Sequence, residues 1–171
     1  MKHNLNLRFS MNELLKYSEE YVYGEDSQVL AVGKAARSRG WLSLDELAII
    51  GRWKSPRIIA HIQKNKSSDV ELITRLAFEV ESESARVGVL QPLHGVGLPV
   101  ASTLLHLCHA DSYPIIDFRA LWSLGYENKP PYSLGLWFEY VETCRKIARK
   151  SGLGMRTVDR ALWQYSNEHQ G

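Results

Sequence analysis

The stretch LHGVGLPVASTLLHLCHADSYPIIDFRALWSLG, residues 93–125, decides how the rest of the chain is read. It opens on Gly95-Val96-Gly97, a tight turn in which glycine reaches backbone angles closed to other residues and lets a foreign group approach the amides. Pro99 follows at a first-turn helix position. The apolar residues Val100, Ala101, Leu104, Leu105 and Cys108 then carry a helix onward, and Ala85 to Leu90 form a short helix upstream that Gln91-Pro92 ends. The unit is helix, glycine hairpin, helix, and free amides at a positive helix N-terminus suit a phosphate. Asp117 stands eighteen residues after Pro99, behind the apolar Pro114-Ile115-Ile116 and ahead of another helix. A solitary Asp in that place can also serve simply as an N-cap.

The pairing of hairpin and carboxylate resembles the helix-hairpin-helix, Gly/Pro-Asp superfamily of DNA glycosylases. Leu93, Gly95, Val96, Gly97 and Ala101 match the hairpin half of its pattern, and Pro114, Ile116 and Asp117 match the second half. The resemblance implies an all-α, compact multi-helix bundle of about nine to ten helices that contains a helix-hairpin-helix motif. It also implies that double-stranded DNA is the partner, that Asp117 is catalytic, and that Gly95, Val96 and Gly97 contact the DNA backbone. Members that cut the abasic strand carry a lysine nucleophile in the hairpin helix; here that position is Pro99, which has no amine. The implied activity is therefore base release by water, leaving an abasic site. Phe118 and Arg119 replace the Thr-His that usually follows the aspartate, and Trp122 replaces an arginine further on. The four-cysteine loop that some members use for an iron-sulfur cluster is absent.

Composition is compatible with this reading. The 171 residues with 44% hydrophobic content fit one core-forming domain, expected over 10–171 after an N-terminal tail over 1–9. Met1 to Ser10 is polar and no apolar run approaches the roughly eighteen residues of a membrane span, so a monomeric, cytoplasmic protein without a membrane partner is expected. Cys108 and Cys144 lie in helical patterns and read as small buried thiols of a reducing compartment. His106 and His109 lack the cysteines or second histidine pair of a zinc site, so neither metal nor cofactor is expected.

The net charge of +2 says little; its distribution says more. Lys34, Arg37, Arg39, Arg52, Lys54, Arg57, Lys64 and Lys66 outweigh Asp45 and Glu46, the following stretch to Arg86 is acidic, and Arg145 to Arg160 is basic again. Segregated charge offers phosphates one face. Arg52, Trp53, Lys54 and Arg57 gather three cations around an indole and a helix start, a combination suited to phosphate contact or to stacking on an unpaired base, although Trp53 is also a natural core residue. Arg119 is a further candidate for DNA contact, and Trp41, Trp53, Tyr126 and Trp137 are the aromatic candidates for a base pocket. Arg156 to Trp163 reads as a structural helix start anchored by Trp163.

The remaining chain reads as capped helices. Ser10-Met11-Asn12-Glu13 and Ser43-Leu44-Asp45-Glu46 are capping boxes, and the helix after the first runs until Gly24. Asp26 or Ser27 opens a helix that stops before Gly40. Ser55-Pro56 starts one over Arg57 to Lys64, and Ser68 caps another. A turn-rich loop spans Gly125 to Tyr132; Ser133 starts a long helix to Ser151, and Thr157 to Glu168 forms the last. No segment alternates with period two. Two rival functions stand beside base excision: a non-enzymatic helix-hairpin-helix module that only grips DNA, and an RNA-directed or purely structural helical protein.

Overall fold

Short polar side chains at fixed offsets start many of the helices. In the computed structural model, which describes residues 5–127 and 131–170, Ser10 opens a 3-10 turn, Met11–Glu13, with its hydroxyl on the Asn12 amide and the Glu13 carboxylate returning to the Ser10 amide. The helices that follow are α1 (Leu14–Glu19), α2 (Ser27–Arg39), α3 (Leu44–Lys54), α4 (Ile59–Ile62) after a 3-10 turn at Pro56–Ile58, α5 (Ser67–Glu79), α6 (Glu83–Leu90), α7 (Leu98–Cys108), α8 (Phe118–Ser123), α9 (Leu134–Ser151) and α10 (Met155–His169). The protein is all-α, with ten α-helices and no strand among the described residues. The expected Ser43 box opens α3, Gly40 closes α2, and Ser133 and Gly152 bracket α9.

Several boundaries differ from expectation: α6 begins at Glu83 and not Ala85, α10 runs from Met155 to His169 and not from Thr157 to Glu168, and three others differ further. α1 ends at Glu19 instead of running to Gly24, and the Val22 amide turns away to donate to Gln164 Oε1 at 3.2 Å. α5 begins at Ser67, because the Lys66 carbonyl collects the Asp69 and Val70 amides. The helix expected over Arg57 to Lys64 is a 3-10 turn and a single α-turn, and the Ile62 carbonyl at its end accepts from Asn65 Nδ2 at 2.8 Å. The middle of the Gly125–Tyr132 loop, with Pro130, lies outside the described residues, as do positions 1–4.

The chain forms two compact units, one from Met1–Gly24 and Ser112–Gly171, the other from Glu25–Asp111. In the first, α10 packs on α1, α8 and α9. The α9 residues Leu136, Trp137, Tyr140, Val141, Cys144 and Ile147 present one buried stripe, and Val158, Ala161 and Leu162 of α10 are buried too. Residues 6 and 8, expected as part of a tail, bond instead to the end of α8: the Asn6 and Arg8 amides donate to the Leu124 and Ser123 carbonyls, and Arg8 Nε donates to the Trp122 carbonyl.

α7 is the centre of the second unit. It is buried over nearly its whole length and packs on α2, α3 and α6, as expected of a helix apolar on every side. Its polar residues Ser102 and Thr103 both donate to the Pro99 carbonyl, at 2.7 and 2.9 Å, so their burial leaves no donor unmatched. At Gly33 of α2 the two helices meet backbone to backbone, since a Cβ there would stand 2.5 Å from the Leu107 carbonyl oxygen.

Candidate functional site: a glycine turn and an anchored aspartate

The glycine turn joins α6 to α7 in the second unit. Leu93 and Val96 bury their side chains, and the Val96 amide closes the turn on the Leu93 carbonyl at 3.0 Å. Asn65 clamps it from outside: its Oδ1 accepts the His94 amide at 2.8 Å and its Nδ2 donates to the His94 carbonyl at 2.9 Å. Gly95 lies in left-handed backbone with φ +82°, against Ile62. Gly97 is exposed, has extended backbone, and caps α7 without any side chain, with Pro99 in the first turn. The first-turn amides of Leu98 and Val100 have no carbonyl partner within the helix. Its apolar residues are buried and Asn65 holds His94, while Gly97 itself lies at the surface.

Asp117 belongs to the first unit. It follows an extended segment whose side chains from Tyr113 to Ile116 are buried, and that segment is fixed at Ile115 from two sides. The Ile115 amide donates to Asp159 Oδ1 at 3.2 Å, and the Tyr140 hydroxyl donates to the Ile115 carbonyl at 2.9 Å. Asp159 is held in turn by Arg156. Asp117 itself is half-buried and caps α8, its Oδ1 accepting the Ala120 amide at 2.9 Å. Tyr132 is a neighbour that the sequence did not single out. Burial first, then the Asp117 carboxylate, push its hydroxyl up to about 12, while the Phe118 amide acts in the opposite sense, so the phenol keeps its proton at neutral pH.

The other candidate residues divide between the units. Arg52 and Trp53 line a cleft of about 370 Å³ with Glu25, Gln28, Val29 and Ile49. Lys54 ends α3 and is half-buried, and Arg57 is exposed in the 3-10 turn beyond it. The Trp41 ring is covered from its own unit by the Arg39 and Arg75 guanidiniums, 4.1 and 5.9 Å from the ring centroid. Tyr126 is half-buried, and burial first and Glu139 second raise its hydroxyl above the ordinary value. Arg119, in the first turn of α8, lies over Trp163. Trp137 is not a pocket residue: it is wholly buried, stacked with Tyr113 at 6.0 Å in the core. Trp163 is half-buried at the surface of α10 and does not act as a deep anchor. Cys108 and Cys144 are buried free thiols, and burial raises both, Cys108 to about 12.

Sequence reasoning missed Asn65, Tyr132 and Asp159. Each acts on a residue fifteen or more positions away in the chain, which no local pattern marks. No protein-family model, curated protein or solved structure matches the chain. No helix among the described residues is long and apolar enough to cross a membrane.

Proposed function

We propose that the protein is a monofunctional DNA glycosylase that acts as a monomer on a modified or damaged base in duplex DNA, with Asp117 as its catalytic carboxylate. The observation that carries the reading is the placement of Asp117: half-exposed, directly after an extended segment pinned by Tyr140 and Asp159, with one oxygen on the Ala120 amide. The nucleobase departs from C1′ with the bonding electrons and takes up a proton. The sugar becomes positive in the transition state, and a fixed carboxylate stabilises that charge. Water then adds to C1′ and gives its proton to the carboxylate, leaving an abasic site. The target base is reached by rotation out of the stack, which costs a few kcal/mol that backbone and stacking contacts offset. Gly95, Val96 and Gly97, with Arg52, Lys54, Arg57 and Arg119, are assigned to the phosphates. Trp41, Trp53 and Tyr126 are assigned to base contact. The chemistry calls for no cofactor, and Pro99 excludes a Schiff base at its position.

A second reading has its own observation. The bond from Ala120 to Asp117 explains the aspartate as an N-cap, which is all that a non-enzymatic DNA-binding module requires. Asp117→Asn separates the two, because Asn caps a helix as well as Asp does but carries no charge. Duplexes each bearing one altered base, treated with alkali to reveal abasic sites, are expected to lose their base with the parent protein and to keep it with the variant, at undiminished DNA affinity. Base release by the variant at the parent rate would refute the catalytic assignment. Borohydride added during turnover is expected to trap no covalent adduct.

A further inference from the structure

Arg156, Arg160 and Trp163 follow one another at four and three residues on α10, so they share one stripe of that helix. The segment after α1 is tied to this stripe by the bond from Val22 to Gln164, which sets Tyr21 and Tyr23 edge-on to the Trp163 ring with centroids 5.5 and 5.2 Å away. The Arg156 and Arg160 guanidiniums lie 5.2 and 5.4 Å from the Tyr21 centroid. From α8, Arg119 lies 5.3 Å from the Trp163 centroid and 5.4 Å from that of Phe118. Three guanidiniums therefore alternate with four rings inside the first unit, beginning at the residue beside Asp117.

A cluster built only for stability would sink its rings and match its cations. Here Phe118 is 41% exposed and Tyr23 36% exposed. Arg156 is paired with Asp159, but Arg119 has no carboxylate partner among the described residues. Arg156 spends its terminal nitrogens on Asp159 and the Tyr21 hydroxyl, whereas Arg119, set between the Phe118 and Trp163 rings, has less rotamer freedom to lose when a phosphate arrives. Exposed rings between such cations give unpaired bases a surface on which to stack.

We propose that this arginine-aromatic cluster grips an unpaired stretch of nucleic acid strand, with the Arg119 guanidinium on a phosphate and Phe118 and Tyr23 under the bases. The proposal deepens the base-excision reading, because the gripped strand lies beside Asp117. The test is binding of the full chain to labelled twelve-residue oligothymidylate across a salt series, with a polyglutamate peptide of equal charge for comparison. Phe118→Ala alters an exposed side chain and is expected to weaken oligothymidylate binding about fivefold to a hundredfold, the loss that one stacked base carries. Arg119→Gln is expected to lower the slope of log affinity against log salt by about 0.7, one phosphate contact on a single strand. Parent-like affinity and slope in both folded variants, failure of the parent to bind, or equal affinity for polyglutamate would each overturn the grip. Base release by the parent alongside unchanged oligothymidylate binding in the variants would sink the grip and spare base excision. Weakened binding in the variants with no base released from any duplex would do the reverse.

Discussion

A Cβ built onto Gly95 would stand 3.0 Å from Ile62 Cγ1, 3.2 Å from the Ile62 nitrogen and 3.3 Å from His61 Cβ, on backbone with φ +82°. The same atom on Gly97 would meet only Pro99 Cδ, at 3.9 Å, and the backbone there is open to any residue. Gly95 is therefore demanded by the fold, whereas at Gly97 the described residues leave room for a side chain and only its place as the cap of α7 favours glycine. Gly95→Ala is expected to destabilise the protein by about 1–2 kcal/mol, the usual cost of a side chain in left-handed backbone. Gly97→Val is expected to lower stability by about 1 kcal/mol or less, the cost of a poorer N-cap, while weakening all duplexes alike at matched salt, because the turn would touch phosphates and not base edges. A variant at Gly97 that binds as the parent does would remove the turn from the DNA interface.

Among the elements, α2 and α7 meet backbone to backbone at Gly33 and the Leu107 carbonyl. Ala at position 33 has no flexible atom to displace, only backbone, so Gly33→Ala is expected to cost about 1–3 kcal/mol in denaturant unfolding, in the range of core overpacking. An unfolding midpoint equal to the parent's would show that the two helices can part at no cost. Helix starts such as Ser10, Ser43 and Ser133 are legible in the sequence because capping needs a short polar side chain at a fixed offset from the amides it serves. The end of α1 is not, being set by Gln164 from the far end of the chain. Nor are the burial of Trp137 and the half-exposure of Trp53 and Trp163, since the packing around an indole comes from other elements. Of the candidate residues, Asp117 and the two glycines stand out in the sequence by residue type and spacing, while the residues that hold them, each within its own unit, Asn65, Tyr140 and Asp159, do not.

At the scale of the whole molecule, His109 is expected to make stability depend on pH near neutrality. Burial first, then the Arg86 guanidinium, hold its imidazole below the ordinary value. Its Nδ1 accepts the Asp111 amide at 2.9 Å, a bond open only to the neutral ring. The unfolded chain thus takes up a proton at a pH where the folded chain does not. Stability is fully present above about pH 6.5 and falls as pH drops from there through the lower folded-state value. Denaturant midpoints measured from about pH 7.5 to 5.5 are expected to fall less steeply for His109→Gln than for the parent; parallel profiles would discount this residue. The two units also differ in how they are cut from the chain, the second being one continuous segment and the first drawn from both sides of it. Pairs near in sequence close a loop at less entropic cost and form sooner than pairs far apart, and α1 and α10 come from near opposite ends of the sequence. During refolding the frame of the glycine turn is therefore expected to assemble before that of Asp117, whose helices wait on the two far parts of the chain coming together.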